Sequence, residues 1–193
     1  MPEAKPLPPP RFDSQLSFEE ALIQRRSVRS FQSTPLTQEQ ISQLLWAAQG
    51  QIDDHRTAPS AGALYPLELY TIEPEGISHY LPVDHSLVKI SSRDCRAGLY
   101  NASLEQDSVH TAPFIIVICG VYQRIEVKYG VSRGPRYVQM EAGHAAQNIL
   151  LQAVTLGLGA VPVGAFHDTQ VHKLLELPPD HRPLYLVPTG HPA

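Results

Sequence analysis

Residues 141–166 read Glu-Ala-Gly-His-Ala-Ala-Gln-Asn-Ile-Leu-Leu-Gln-Ala-Val-Thr-Leu-Gly-Leu-Gly-Ala-Val-Pro-Val-Gly-Ala-Phe. Ala145, Ala146, Ile149, Leu150, Ala153 and Val154 recur at helical spacing. No charge follows Glu141 in the stretch, and its polar residues Asn148, Gln152 and Thr155 form one stripe. A helix this apolar is normally buried in a core or an interface. Ala142, Ala145, Ala146 and Ala153 would let a neighbouring backbone come close. Gly157 or Gly159 supplies the left-handed residue that ends the helix. Ala160 to Phe166 reads as a buried strand in which Pro162 must lie at an edge or a break. A break beside Gly164 would expose backbone N–H groups to a flat ligand. Taken alone, the stretch also suits an ordinary core helix followed by a core strand.

The rest of the chain agrees with one domain of moderate size. It has 193 residues, 42% of them hydrophobic, and a net charge of −4 without a basic run. Phosphate-backbone binding needs clustered Lys and Arg, so no nucleic-acid partner is expected. Cys95 and Cys119 form neither a C-x-x-C pair nor a disulfide framework, which points to a reducing, cytoplasmic setting. Met1 to Arg11 is proline-rich and lacks the apolar core of a signal peptide. No apolar run is long enough to span a membrane.

Pro6 and Pro8–Pro10 favour an extended arm over residues 1–16, disordered or draped over a partner subunit, ahead of a single domain at 17–193. Ser17-Phe18-Glu19-Glu20 and Thr37-Gln38-Glu39-Gln40 are capping boxes. They predict a helix to about Arg25 and another ending at Gly50. Gln51 to Thr57 reads as a polar loop. Leu67–Ile72 and Ile77–Leu81 read as a hairpin around Pro74-Glu75-Gly76, and Leu87–Ile90 as a short strand. Arg93–Leu104 is a weak helix, and Phe114–Val121 a central strand buried on both faces. Tyr122–Tyr129 suits either a strand extension or a helical turn, and Val131–Pro135 a loop. Asp168 is expected to cap a short helix, and Leu184–Val187 to form the last strand.

Several chemistries are poorly matched. The nine histidines include pairs at 167/172 and 79/85, spacings that do not place two ligands on one helix face, so no metal site is expected. There is no G-x-S-x-G elbow and no P-loop, and Gly157-Leu158-Gly159 follows a helix, which excludes a dinucleotide fingerprint. Two stretches stand out instead. Arg25-Arg26-Ser27-Val28-Arg29-Ser30-Phe31 concentrates guanidiniums, whose forks match phosphate oxygens, although a solvated helix end would look the same. Ala58-Pro59-Ser60-Ala61-Gly62-Ala63-Leu64-Tyr65-Pro66 holds small residues that let backbone lie against a ligand, or form a tight connection.

Together these stretches resemble the FMN-dependent nitroreductase family. The 25–31 motif resembles the family's opening motif. Residues 59–70, Lys128-Tyr129-Gly130, Arg136-Tyr137, Glu141 to Asn148, Gly157-Leu158-Gly159 and Val163 to Phe166 look like the SagB-type dehydrogenase branch, in order over about residues 17–192. The resemblance implies an α+β fold: a mostly antiparallel sheet sandwiched by helices, in a homodimer with the long helix at its interface. It implies FMN bound between subunits. Arg25, Arg26 and Ser27 match positions that hold the phosphate and ribityl chain. Arg29 matches a cation near N1 and O2, where reduction leaves negative charge. Pro59, Ser60, Ala61, Gly62 and Leu64 match the segment given by the other subunit. Pro162, Val163 and Gly164 match the break facing N5 and O4, and Gly190 a glycine near the phosphate.

The implied activity is an oxidoreductase working by ping-pong hydride transfer through flavin N5. It would use NAD(P)H with a quinone or nitro acceptor, or dehydrogenate a small or azoline-type substrate. In the azoline-oxidising members a Lys-Tyr pair is tied to catalysis, so Lys128 and Tyr129 are the candidate proton acceptors, with a solvated lysine and a packing aromatic as the plainer reading. Two departures remain. The chain stops at Ala193, where many relatives continue with a basic residue, and Pro135 stands where an aromatic residue is common. They leave room for a flavin-binding or scaffold protein without turnover.

Overall fold

The computed structural model describes residues 4–193. Both capping boxes form. Ser17 Oγ accepts from the Glu20 amide while the Glu20 carboxylate accepts from the Ser17 amide, starting α1 (Phe18–Gln24). Thr37 and Gln40 do the same for α2 (Gln38–Gln49). Gly50 follows α2 because of a close approach: a Cβ there would lie 2.2 Å from Trp46 Cδ1.

Seven strands form one sheet: β1 (Ala4–Pro6), β4 (Leu67–Glu73), β5 (Gly76–Leu81), β6 (Ser86–Ser91), β7 (Phe114–Val121), β8 (Gly159–Ala160) and β9 (His181–Gly190). Their order is β1-β6-β5-β4-β7-β9-β8, every pair antiparallel. The expected polar loop at 51–57 contains a small separate hairpin, β2 (Gln51–Ile52) with β3 (His55–Arg56). β7 is buried at every residue, and its alternation divides the core. Phe114, Ile116 and Ile118 face α2 and α5 (Tyr122–Thr155). Ile115, Val117 and Cys119 face α3 (Arg96–Ala102), α4 (Asp107–Thr111) and α6 (Asp168–Leu174). The result is an α+β fold with an antiparallel sheet between two helical layers.

Four expectations need correction. Val131–Pro135 is helical and not a loop, while of the two readings of Tyr122–Tyr129 the helical one holds; the two pieces lie on either side of Gly130, whose φ of 72° and ψ of 164° break α5. A Cβ on Gly134 would lie 2.9 Å from Glu126 Cγ, a contact an unbroken helix could not make, so the chain turns sharply at Gly130. Next, the regular strand expected over 160–166 stops at Ala160; the Val161 amide still donates to the Pro188 carbonyl, Pro162 interrupts the ladder, and Val163 then exchanges two hydrogen bonds with Leu186. Asp168 is the first residue of α6 and not its cap, which is His167 without a side-chain bond. Finally, the arm packs on its own chain: β1 pairs with β6, Ser42 Oγ donates to the Pro8 carbonyl, and Gln43 exchanges bonds with the Arg11 backbone. Residues 1–3 of the arm lie outside the described residues.

Candidate functional site

The suspected site residues fall into two groups. In the first, Val28 donates to the Ala160 carbonyl at 3.2 Å, and the Ser30–Gln32 backbone bonds to His191 and Ala193. Two glycines make this packing possible. A Cβ on Gly159 would meet Val28 at 2.6 Å, and one on Gly190 would meet Pro113 at 2.8 Å and Phe31 at 3.1 Å. Arg25, Arg26, Ser27 and Arg29 are thereby fixed beside the start of the 160–164 segment. Arg25 is half-buried and the other three are exposed. Among the described residues, none of these guanidiniums forms an ion pair. Pro162 is half-buried, Val163 is buried and Gly164 is exposed, and the Gly164 amide makes no backbone hydrogen bond. Unpaired cations beside free backbone fit a planar group bearing a phosphate.

The second group is built on the short 3-10 turn Ala61–Ala63. A Cβ on Gly62 would lie 2.8 Å from Lys128 Nζ and 3.0 Å from Tyr129 Oη, so both tips converge on Gly62. Pro59, Gly62 and Lys128 are exposed, and Ser60, Ala61, Leu64 and Tyr129 half-buried. Tyr129 packs against the Tyr137 ring, with centroids 4.6 Å apart. The helical run 131–155 separates Tyr129 from Gly159.

Beneath the second group lies a buried polar cluster that the sequence did not single out. Glu141 on α5 is 1% exposed, and neither carboxylate oxygen has a hydrogen-bond partner. Burial pushes its pKa up to about 7, against the opposing pull of Ser60, Arg56 and Gln49. Gln49 Nε2 and Arg56 Nε are buried donors that are also unpaired. Arg56 donates through Nη1 to Gln49 Oε1 at 3.0 Å and lies over the Tyr65 ring. Its own pKa is lowered by burial.

A second network braces the far end of the loop. Glu68 accepts from His79 Nε2 at 2.7 Å and from Arg124. Burial would raise the Glu68 pKa, but the His79 bond and the Arg124 charge outweigh it and bring it down to about 2. Arg124 also donates to the Tyr65 carbonyl at 3.1 Å. Tyr70 stacks on His79 and its hydroxyl meets His181 Nδ1 at 2.7 Å. No group of three or more His, Cys, Asp or Glu among the described residues could hold a metal ion, and no described helix is long and apolar enough to cross a membrane.

Residues 22–191 match the Nitroreductase family. The chain belongs to that family. A Methanocaldococcus jannaschii protein whose name places it among the nitroreductases is 43% identical over 185 residues, covering 91% of each chain. A crystal structure from Ralstonia eutropha, named for the same activity, matches with a TM-score of 0.90 at 30% identity, covering 98% of this chain and 90% of that one. The Microcin B17-processing protein McbC of Escherichia coli is 29% identical over 134 residues, 63% of this chain and 48% of that protein. The chain thus spans about half of McbC, although it covers 91% of the Methanocaldococcus protein. Membership of the nitroreductase family supports flavin-dependent oxidoreductase activity with FMN as cofactor. For this nitroreductase-family chain, the polar cluster under Ser60 and the brace around Glu68 are additions to the motifs read from sequence.

Proposed function

We propose that the protein is an FMN-dependent oxidoreductase with two shared flavin sites in a homodimer. The observation that carries this reading is the set of arginines at 25, 26 and 29 that form no ion pair among the described residues, held beside Ala160 at the start of the segment that reaches the unbonded Gly164 amide. Bound FMN supplies a two-electron carrier that takes up a hydride at N5 and passes it on in a ping-pong cycle. Arg25, Arg26 and Ser27 bind the phosphate and ribityl chain, with Gly190 close by. Arg29 stabilises negative charge near N1 and O2, and the Gly164 amide orients the ring edge. Pro59, Ser60, Ala61, Gly62 and Leu64 arrive from the second subunit, as the family resemblance implies. NAD(P)H stacks transiently in the same cleft, in a cytoplasmic setting, with a quinone or nitro compound as acceptor.

The SagB-type reading adds substrate dehydrogenation. Breaking a C–H bond as hydride from an azoline-type ring also releases a proton, and Lys128 Nζ or Tyr129 Oη at Gly62 is placed to accept it. The likeness to McbC favours this branch.

Mixing subunits tests the whole arrangement. Arg25→Ala damages the first group and Lys128→Ala the second. Each variant alone should lose NAD(P)H-dependent or dehydrogenase turnover, and a refolded mixture should recover part of it, since mixed dimers hold one intact site. No recovery would refute a shared site. A colourless protein that takes up no FMN at micromolar concentration would refute the flavin reading, and normal FMN binding without reduction by any donor would favour a scaffold.

A further inference from the structure

The Ser60–Tyr65 segment turns through a strained backbone. Gly62, Ala63 and Tyr65 have φ of 64°, 54° and 46°, a region that alanine and tyrosine rarely enter. Such a turn persists only where its surroundings hold it. Tyr65 is held at each of its polar groups. Its amide donates to Ser60 Oγ at 2.9 Å, its hydroxyl accepts from the Arg56 amide at 3.3 Å, and its carbonyl accepts from Arg124 Nη1 at 3.1 Å. The last of these ties the segment to another element. Arg124 sits on the helical piece Tyr122–Tyr129, which also carries Lys128 and Tyr129. Arg124 precedes Lys128 by four residues, about 6 Å along a helix axis. One helical piece therefore meets the segment twice, with Arg124 at Tyr65 and with Lys128 Nζ and Tyr129 Oη at Gly62.

We propose that Arg124 is a positioning residue: by bridging the Tyr65 carbonyl to Glu68, it sets the register in which Lys128 and Tyr129 meet Gly62. The contact at Gly62 has little to fix it by itself. Lys128 is exposed, forms no ion pair among the described residues, and has its Nζ 5.7 Å from the Tyr129 ring centroid. Arg124 is fixed at both arms. While Nη1 holds Tyr65, Nη2 donates to Glu68 Oε1, and Glu68 Oε2 meets His79 Nε2 at 2.7 Å. Glu68 lies on β4, which pairs with β5 on one side and β7 on the other, so the bridge is anchored in the sheet. A planar guanidinium bridging a carbonyl and a carboxylate sets direction as well as distance. The consequence for catalysis rests on the dehydrogenase reading above, in which Lys128 or Tyr129 takes the proton that leaves as the substrate gives up hydride. A proton acceptor displaced by about 1 Å can lose up to about a hundredfold in rate. Quinone reduction driven by NAD(P)H makes no use of that acceptor.

Arg124→Ala tests this with two readouts. On FMN-free protein, amide hydrogen exchange is followed at Ala63 and Tyr65, which donate to the Ser60 carbonyl and hydroxyl. Exchange there should quicken roughly tenfold, the equilibrium effect of losing one charge-assisted hydrogen bond. Millimolar guanidinium ion should reverse the change by refilling the bridge, and the same concentration of sodium chloride should not. On FMN-loaded protein, kcat for oxidising a thiazoline peptide should fall roughly tenfold or more, while NAD(P)H-driven quinone reduction stays within about twofold of wild type. Unchanged exchange, or exchange that sodium chloride restores as well as guanidinium, would overturn the proposal. So would an equal loss of both activities, which marks a general defect. If Arg124→Ala does not fold, Arg124→Lys serves, since one ammonium replaces the two-armed fork beside Glu68. It should quicken exchange at Ala63 and Tyr65 to a smaller extent, and wild-type exchange there would equally overturn the proposal. If exchange follows the expectation but wild type oxidises no thiazoline, the positioning role stands and the dehydrogenase reading falls.

Discussion

Replacing Glu141 by Gln should stabilise the FMN-free protein at pH 8 relative to its effect at pH 5. The folded pKa lies near 7, against 4.5 for an unburied glutamate. Below 4.5 both folded and unfolded chains carry the proton, and the stability linked to it is fully present. As pH rises through 7 the unfolded chain has already released its proton while the folded chain must lose one from a buried site, so stability is lost. A shift of about two and a half pKa units corresponds to about 3 kcal/mol as an upper value. For a chain of this size that is on the order of 6–12 °C in Tm. The assay is thermal unfolding of both proteins from pH 5 to 8, read as the difference between them. The difference matters because burial lowers the pKa of His85 and His181, which adds stability as pH rises through the same window and would mask the effect in a single curve. Parallel wild-type and variant curves across this range would refute the assignment of Glu141 as a group that is neutral when buried.

Arg25→Ala should weaken FMN binding roughly tenfold to a hundredfold, since a charge-assisted contact contributes about 1.5–3 kcal/mol, whereas Arg29→Ala should mainly lower the flavin midpoint potential; titration of both quantities on both variants separates the roles. Gly190→Ala should destabilise by about 1–3 kcal/mol in denaturant unfolding, because its Cβ would press on the rigid Pro113 and Phe31. Glu68→Gln should cost about 1–3 kcal/mol at pH 7, and the gap to wild type should shrink as pH falls from 4.5 toward 2, where Glu68 itself takes a proton. Sedimentation should give twice the 21.3 kDa chain mass.

What the sequence revealed was mostly local. The two capping boxes use partners three residues apart, and Gly157, with φ of 70°, follows the long helix as expected. β7 announced its double burial by an unbroken apolar run. The break at Gly130 was hidden because the residues on either side of it are polar and lack a clear helical period, and the reversal depends on Gly134 meeting Glu126 across the turn. The Glu68 brace joins residues 11 and 56 positions apart, and the Tyr70–His181 bond spans 111 positions. No periodicity reports such pairs. Glu141 was misleading in a more instructive way. It marked the last charge before an apolar stretch, and nothing in that pattern reports that the carboxylate itself is almost wholly buried.

That burial connects the two parts of the argument. Glu141 lies on the helical run that follows Gly130, and that run leads into Gly159. On the proposed reading, the residues that hold a phosphate and the residues placed to move a proton belong to different subunits at any one site. The exposed stripe at Gly143, His144 and Gln147 is then the natural place for a second copy to pack, since uncharged and small residues let helices approach.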